Sequence, residues 1–344
     1  MQEKLLERFL RYAAVSSQSN AANPNVPSSE GQRELAELLK KDLAELGLVD
    51  LEISEYSVLT GKLPAYLPEG CTKEVPAVGW CAHLDTIDIN MSPEIHPQVV
   101  KNYQGGDVCL NKEKDIWIRT SEHPELEKYI GEDIVFSDGT SVLGADNKAA
   151  IANIMVALET LVKEKRYHGD IYVAFVPDEE IGLRGSKKMD FSKFPVKFAY
   201  TIDCCELGEV VYQTFNAGTA IVKIKGVSAH PMSAKGVLIN PTLLAVDLVN
   251  MFDRTQTPEC TEGTEGYIWV KSIVSNDTYA TVTLDIRDHN KKRYEERKAE
   301  IAANAEKLQA MYPRAEVTCT MSDTYGNIND AVTEDNKYCI DYIY

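Results

Sequence analysis

The stretch IYVAFVPDEEIG (171–182) constrains this chain more than any other. Its first six residues are an unbroken apolar run of strand formers, the pattern of a strand buried on both faces. Pro177 ends the ladder, having no amide hydrogen to donate. Asp178, Glu179 and Glu180 then arrive at the strand's carboxyl end, and ligands of open α/β sheets bind in the crevice beyond such ends. Adjacent carboxylates there repel one another and lose hydration, so a divalent cation is one natural counter-charge. Taken alone, the stretch reads slightly better as a solvated acidic turn.

The pattern recurs. VGWCAHLDT (78–86) is a second apolar run, delivering His83 and Asp85. Two residues apart on a strand, they share a face, so one can bind a metal while the other orients it. FAYTIDC (198–204) delivers Asp203, and VLGADNKAAIANIM (142–155) places Asp146 where a glycine turn opens a helix. Each has an ordinary explanation: Asp146 as a helix cap, His83 as a hydrogen-bonded core histidine, Asp203 as a turn residue. The joint occurrence favours a metal site. One imidazole with several carboxylates and no nearby thiolate pair suits zinc, cobalt or manganese rather than a structural thiolate site. A carboxylate shared by two ions ~3.5–4 Å apart is the usual core of a two-metal hydrolase.

HLDT, GADNKA, PDEE and the aspartate of YTID, in this order, resemble the co-catalytic zinc peptidases of the aminoacylase/carboxypeptidase G2 group, the M20 family, over nearly the whole chain. The resemblance implies a metal-dependent aminopeptidase acting on tripeptides with a free N-terminus; a related dipeptidase or amidohydrolase, and a metal-deficient peptide-binding module, are the alternatives. It implies two Zn2+ ions, bridged by Asp146, with His83 and Asp203 on one and Glu180 on the other. It further implies Glu179 as general base and Asp85 as the residue that orients His83. The fold it implies is an α/β catalytic domain with a mixed, mainly parallel sheet flanked by helices, carrying an inserted ferredoxin-like α+β lid.

A length of 344 residues suggests two domains, and 44% hydrophobic content suffices for real cores. The net charge of −17 argues against nucleic acid or an anionic membrane as partner. No apolar run approaches a membrane span, and MQEKLLERFLRYAAV (1–15) is an amphipathic helix carrying acids rather than a signal peptide. Eight cysteines without metal-type spacing, Cys204 and Cys205 among them, point to the reducing cytoplasm. Ser29 with Gln32 reads as a capping box opening a helix whose apolar side carries Leu35, Leu38, Leu39 and Leu46. Residues 87–135 form a surface excursion with a hairpin around 108–118, where His96 and His123 read as solvated.

Beyond about Tyr212 the pattern changes. TAIVKIKG (219–226) sets Val222 and Ile224 on one face and Lys223 and Lys225 on the other, as in an antiparallel sheet covered on one side. Helices over 241–252 and 294–312 and strands near 266–274, 279–287 and 315–322 give a β-α-β-β-α-β order, which is ferredoxin-like. The expected domains are 1–212 with 323–344 (catalytic) and 213–322 (lid). In the lid, the resemblance gives His230 the developing oxyanion of the substrate. Arg287 stands on the polar side of its strand, where it can clamp a carboxylate bidentately or pair with Asp285 or Asp288; Asn240 is a further candidate for substrate contact. A homodimer through the lid is left open.

Two departures from the family pattern follow. Asn147 stands where an aspartate is common. The chain ends at DNKYCIDYIY (335–344), before the glycine-rich loop and the late histidine that complete the family's second metal site. The expectation for this chain is one metal held tightly and a second weakly or not at all.

Overall fold

The first half of the chain alternates helices and short strands: α1 (Gln2–Ala13), α2 (Glu30–Glu45), β1 (Val49–Ile53), β2 (Leu59–Leu63), β3 (Val78–His83), β4 (Gln98–Val100), β5 (Val108–Asn111), β6 (Ile116–Ile118), β7 (Ile134–Phe136), α3 (Ala145–Glu164), β8 (Ile171–Val176) and β9 (Phe198–Thr201). The computed structural model describes every residue except Cys205 and Tyr344. Two compact units emerge, Met1–Cys205 and Glu206–Tyr344.

The first unit is built on a five-stranded mixed sheet in the order β1-β2-β8-β3-β9. β8 and β9 flank β3 and run parallel to it, while β1 with β2, and β2 with β8, are antiparallel. The three parallel strands are the three apolar runs that end in acids, so their carboxyl ends open on one edge of the sheet. Val173, Ala174 and Phe175 of β8 have no exposed surface, which matches a strand covered on both faces. Leu35, Leu39 and Leu43 of α2 and Ile151, Met155 and Leu158 of α3 are equally buried, each such side chain contributing roughly 1.5–3 kcal/mol. Tyr12 of α1 donates to Asp42 of α2 at 2.8 Å, and Arg8 donates to Glu159 of α3 at 3.1 Å, tying the three helices together.

One local expectation fails. Ser29 is the N-cap residue of α2, but its hydroxyl makes no capping bond; it accepts from Gln32 Nε2 at 3.1 Å, while the main bonds of the Gln32 amide go to the buried Asp178. A buried carboxylate is the strongest acceptor within reach of the Gln32 amide donor. The excursion after β3 has its hairpin, β5 with β6, and a second pairing of β4 with β7 closes it over Tyr103, Val108, Leu126 and Phe136.

The second unit comprises β10 (Asn216–Lys225), α4 (Pro241–Val249), β11 (Tyr267–Ser275), β12 (Tyr279–Asp288), α5 (Lys291–Met311), β13 (Glu316–Tyr325) and the short α6 (Tyr338–Asp341). Its antiparallel sheet has the order β11-β12-β10-β13. Ala220, Val222 and Ile224 are buried against Leu244, Leu248, Ile301 and Leu308 of the two long helices, while Lys223 and Lys225 are exposed. This is the one-sided, ferredoxin-like lid arrangement read from the alternation. Residues 323–344 belong to this unit rather than to the first. Asn327 explains why: its main chain donates to Asn216 at 3.2 Å and its side chain donates to the carbonyl of His289 at 2.9 Å. Among the described residues no helix is long and apolar enough to cross a membrane.

Candidate metal centre

β3 delivers His83 with 2% of its surface exposed. Its Nδ1 lies 2.9 Å from the main-chain carbonyl of Asp85. A carbonyl only accepts, so Nδ1 carries a proton, which leaves Nε2 as the nitrogen a metal would take once its own proton is displaced. Nε2 faces the Oδ1 atoms of Asp146 at 2.8 Å and Asp203 at 3.9 Å. Asp146 comes from the start of α3, where Gly144 turns the chain at φ +72° and the Asp146–Asn147 peptide is cis. A Cβ at Gly144 would stand 2.9 Å from the Ile95 methyl and 3.1 Å from the Thr86 methyl, but it is the positive φ that calls for glycine. Asp203 follows β9 by two residues.

Asp85 has two roles. Its carboxylate lies 3.4 Å from His83 Nδ1, and it accepts the main-chain amides of Glu179 at 2.9 Å and Glu180 at 3.1 Å. One fully buried carboxylate thus ties the ends of β3 and β8 together. Asp178, grouped with the other two acids on sequence, faces Ser28 and Gln32 instead.

Two groups of donor atoms each lie within 4.8 Å of one another: His83, Asp146 and Asp203; and His83, Glu179 and Glu180. The electrostatics show a crowd of acids short of positive charge. Burial raises Glu179, and burial with the nearby Asp146 raises Glu180 to about 7. Burial also raises Asp203, whereas the hydrogen bond from His83 lowers Asp146. Burial alone would lower His83, but its bonds to Asp146 and Asp85 lift it to about 11. One imidazolium is the only cation among these groups, and hard oxygen donors with one imidazole nitrogen suit a divalent metal. The residues present fit such a centre. Beside it, the side chain of Asn147 is buried and faces Asp203. Lys148, also fully buried, donates to the carbonyl of Val15 at 2.7 Å. Burial lowers its pKa to about 8.

The three lid candidates lie in the second unit. His230 is exposed, and its Nδ1 accepts the amide of Met232 at 3.2 Å. Arg287 donates to the carbonyls of Gly218 and Ile286 and lies 5.5 Å over the Phe215 ring. Its neighbouring acids have other partners, Asp285 with Lys271 and Asp288 with Arg297. Asn240 caps α4, its Oδ1 accepting the amide of Thr242 at 3.0 Å.

The peptidase dimerisation domain of M20 peptidases matches residues 212–313, and the M42 glutamyl aminopeptidase pattern matches residues 115–238. A peptidase T-like protein of Rhizobium meliloti is 50% identical over 98% of this chain and 81% of its own length. Peptidase T of Fusobacterium nucleatum is 40% identical over 98% of this chain and 80% of its own. The crystal structure of a tripeptidase from Staphylococcus aureus shares the fold, with a TM-score of 0.71 at 20% identity over 95% of this chain and 77% of that one. At these identities and coverages the chain belongs to the peptidase T family, aminopeptidases of the M20 metallopeptidase group.

Proposed function

We propose that this enzyme removes the N-terminal residue from tripeptides with the aid of two zinc ions. The observation that carries the reading is the convergence of His83, Asp146 and Asp203, with Glu179 and Glu180 alongside, at the carboxyl edge of one sheet. Asp146 would bridge the two ions, with His83 and Asp203 on one and Glu180 on the other. When bound, the pair polarises the scissile carbonyl and lowers the pKa of the attacking water.

The chain's own groups do the rest. Asp85 holds the His83 proton on Nδ1 and keeps Nε2 turned inward. Glu179 accepts the proton of the attacking water and returns it to the leaving amine, a task helped by its raised pKa. His230 supports the oxyanion, Arg287 clamps the substrate's carboxylate through its planar fork, and Asn240 contacts substrate from the start of α4. Cys71, Cys81, Cys109, Cys260 and Cys319 are free thiols, which supports the cytoplasm as compartment. The matched dimerisation domain supports pairing of two copies through the second unit.

The test is release of the N-terminal residue from a free-amine tripeptide by the zinc-loaded chain. Cleavage of no short peptide, with deacylation of N-acyl amino acids instead, moves the assignment to the related amidohydrolases.

A further inference from the structure

Gln32 sits in the first turn of α2, 146 residues before Asp178, yet the two make reciprocal bonds. Its Nε2 donates to the Asp178 carboxylate at 2.7 Å, and its Oε1 accepts the Asp178 main-chain amide at 2.8 Å. Ser28 adds its own amide at 2.8 Å and its hydroxyl at 2.5 Å to the same carboxylate. Gln32 and Asp178 have no exposed surface, and Ser28 has 3%. Asp178 also takes a left-handed φ of +54°, a conformation that aspartate holds when its side chain is bonded locally.

The next two amides, of Glu179 and Glu180, are held by Asp85. Three successive amides of this turn are therefore gripped by side chains from two other elements, α2 and the end of β3. Beyond them, the Asp178 carbonyl accepts the amide of Arg184 at 2.9 Å, and the Arg184 guanidinium donates to the carbonyls of Asn23 and Ala21. Residues 16–29 thus strap the ends of β3 and β8, with Ser17 Oγ donating to Leu84 and the Ser19 amide to Thr86. A turn bonded on both sides has one orientation, and that orientation aims the carboxylates of Glu179 and Glu180. An apolar contact could anchor the turn equally firmly but would not fix its direction, because only hydrogen bonds are directional.

We propose that Gln32 is a positioning residue for Glu179 and Glu180, acting through Asp178, in the metallopeptidase reading given above. The probe is Co2+ alone, titrated into the full chain and followed by its visible absorption. Gln32→Glu keeps the shape and the acceptor for the Asp178 amide but turns the donor into a second carboxylate. It should weaken Co2+ binding by about 10–100-fold and change the spectrum, the scale of second-layer effects on metal sites. Adding Asp178→Asn exchanges donor and acceptor across the same contact and should restore both. Gln32→Met, which only deletes the bonds, should show the same loss and serves if the glutamate variant does not fold. Wild-type binding by either single variant overturns the proposal, as does a double variant that binds no better than Gln32→Glu. These outcomes do not depend on turnover. Failure of the peptidase reading shows separately, as a wild-type chain that binds Co2+ and cleaves no tripeptide.

Discussion

Glu179 and Glu180 are neighbours in the chain, and both belong to the donor group around His83. The proposed division of labour makes the first the base and the second a metal ligand. Glu179→Gln should keep the metal content while turnover falls by roughly 10²–10⁴-fold; Glu180→Gln should lose metal. Metal analysis beside steady-state kinetics decides this, and loss of metal from the Glu179 variant alone reverses the assignment. The residues of the centre were legible because strand alternation and strand ends place them without reference to distant parts of the chain. Gln32 was not. Its spacing from Ser29 satisfies a local capping rule, and nothing in the sequence announces a buried carboxylate 146 residues away that binds it more strongly. The same blindness hid Asp178, which sequence adjacency grouped with acids that it turns away from.

Among the elements, the glycine turn into α3 carries a local constraint beside the metal centre. Gly144→Ala adds a left-handed penalty of about 1–2 kcal/mol, and its methyl would press on Ile95 and Thr86. Urea denaturation should show the loss, and zinc affinity should drop with it because Asp146 is two residues on. Unchanged stability and affinity would mean that the turn has another conformation available. The long elements were readable from their periods: β8 from its unbroken apolar run, β10 from its alternation, and α5 from Ile301, Ala305 and Leu308. The β4–β7 pairing was not, since three-residue strands are too short to display a period. The tie of the residues after β13 to the second unit turns on single side-chain bonds, such as that of Asn327 to Asn216, rather than on a pattern.

At the scale of the whole molecule the metal-free protein is a proton store. Glu180 keeps its proton up to about 7 instead of 4.5, and His83 up to about 11 instead of 6.5. Across both windows the folded chain binds more protons than the unfolded one, so its stability falls as pH rises. Cations displace those protons, so affinity rises with pH. The gain in melting temperature given by zinc should therefore grow from about pH 5.5 to about pH 8, and a gain that stays flat or shrinks overturns this account. In the proposed assignment the donor sets also differ, with His83, Asp146 and Asp203 at one position and only Asp146 with Glu180 at the other, so the second ion would be held weakly. Elemental analysis after dialysis against a weak chelator should find one zinc per chain, whereas two tightly held ions would require a ligand outside these groups.

The strap from residues 16–29 to the end of β8 also has a meaning in time. A ribosome adds about 5–20 residues per second, so roughly 7–30 s separate the emergence of Gln32 from that of Asp178. Over that interval the strap can reach only the end of β3, at Leu84 and Thr86, and not the end of β8. Asp203 arrives later still. The centre is thus assembled only after more than two hundred residues have left the ribosome, and the nascent chain carries no complete set of donors with which to seize a metal ion early.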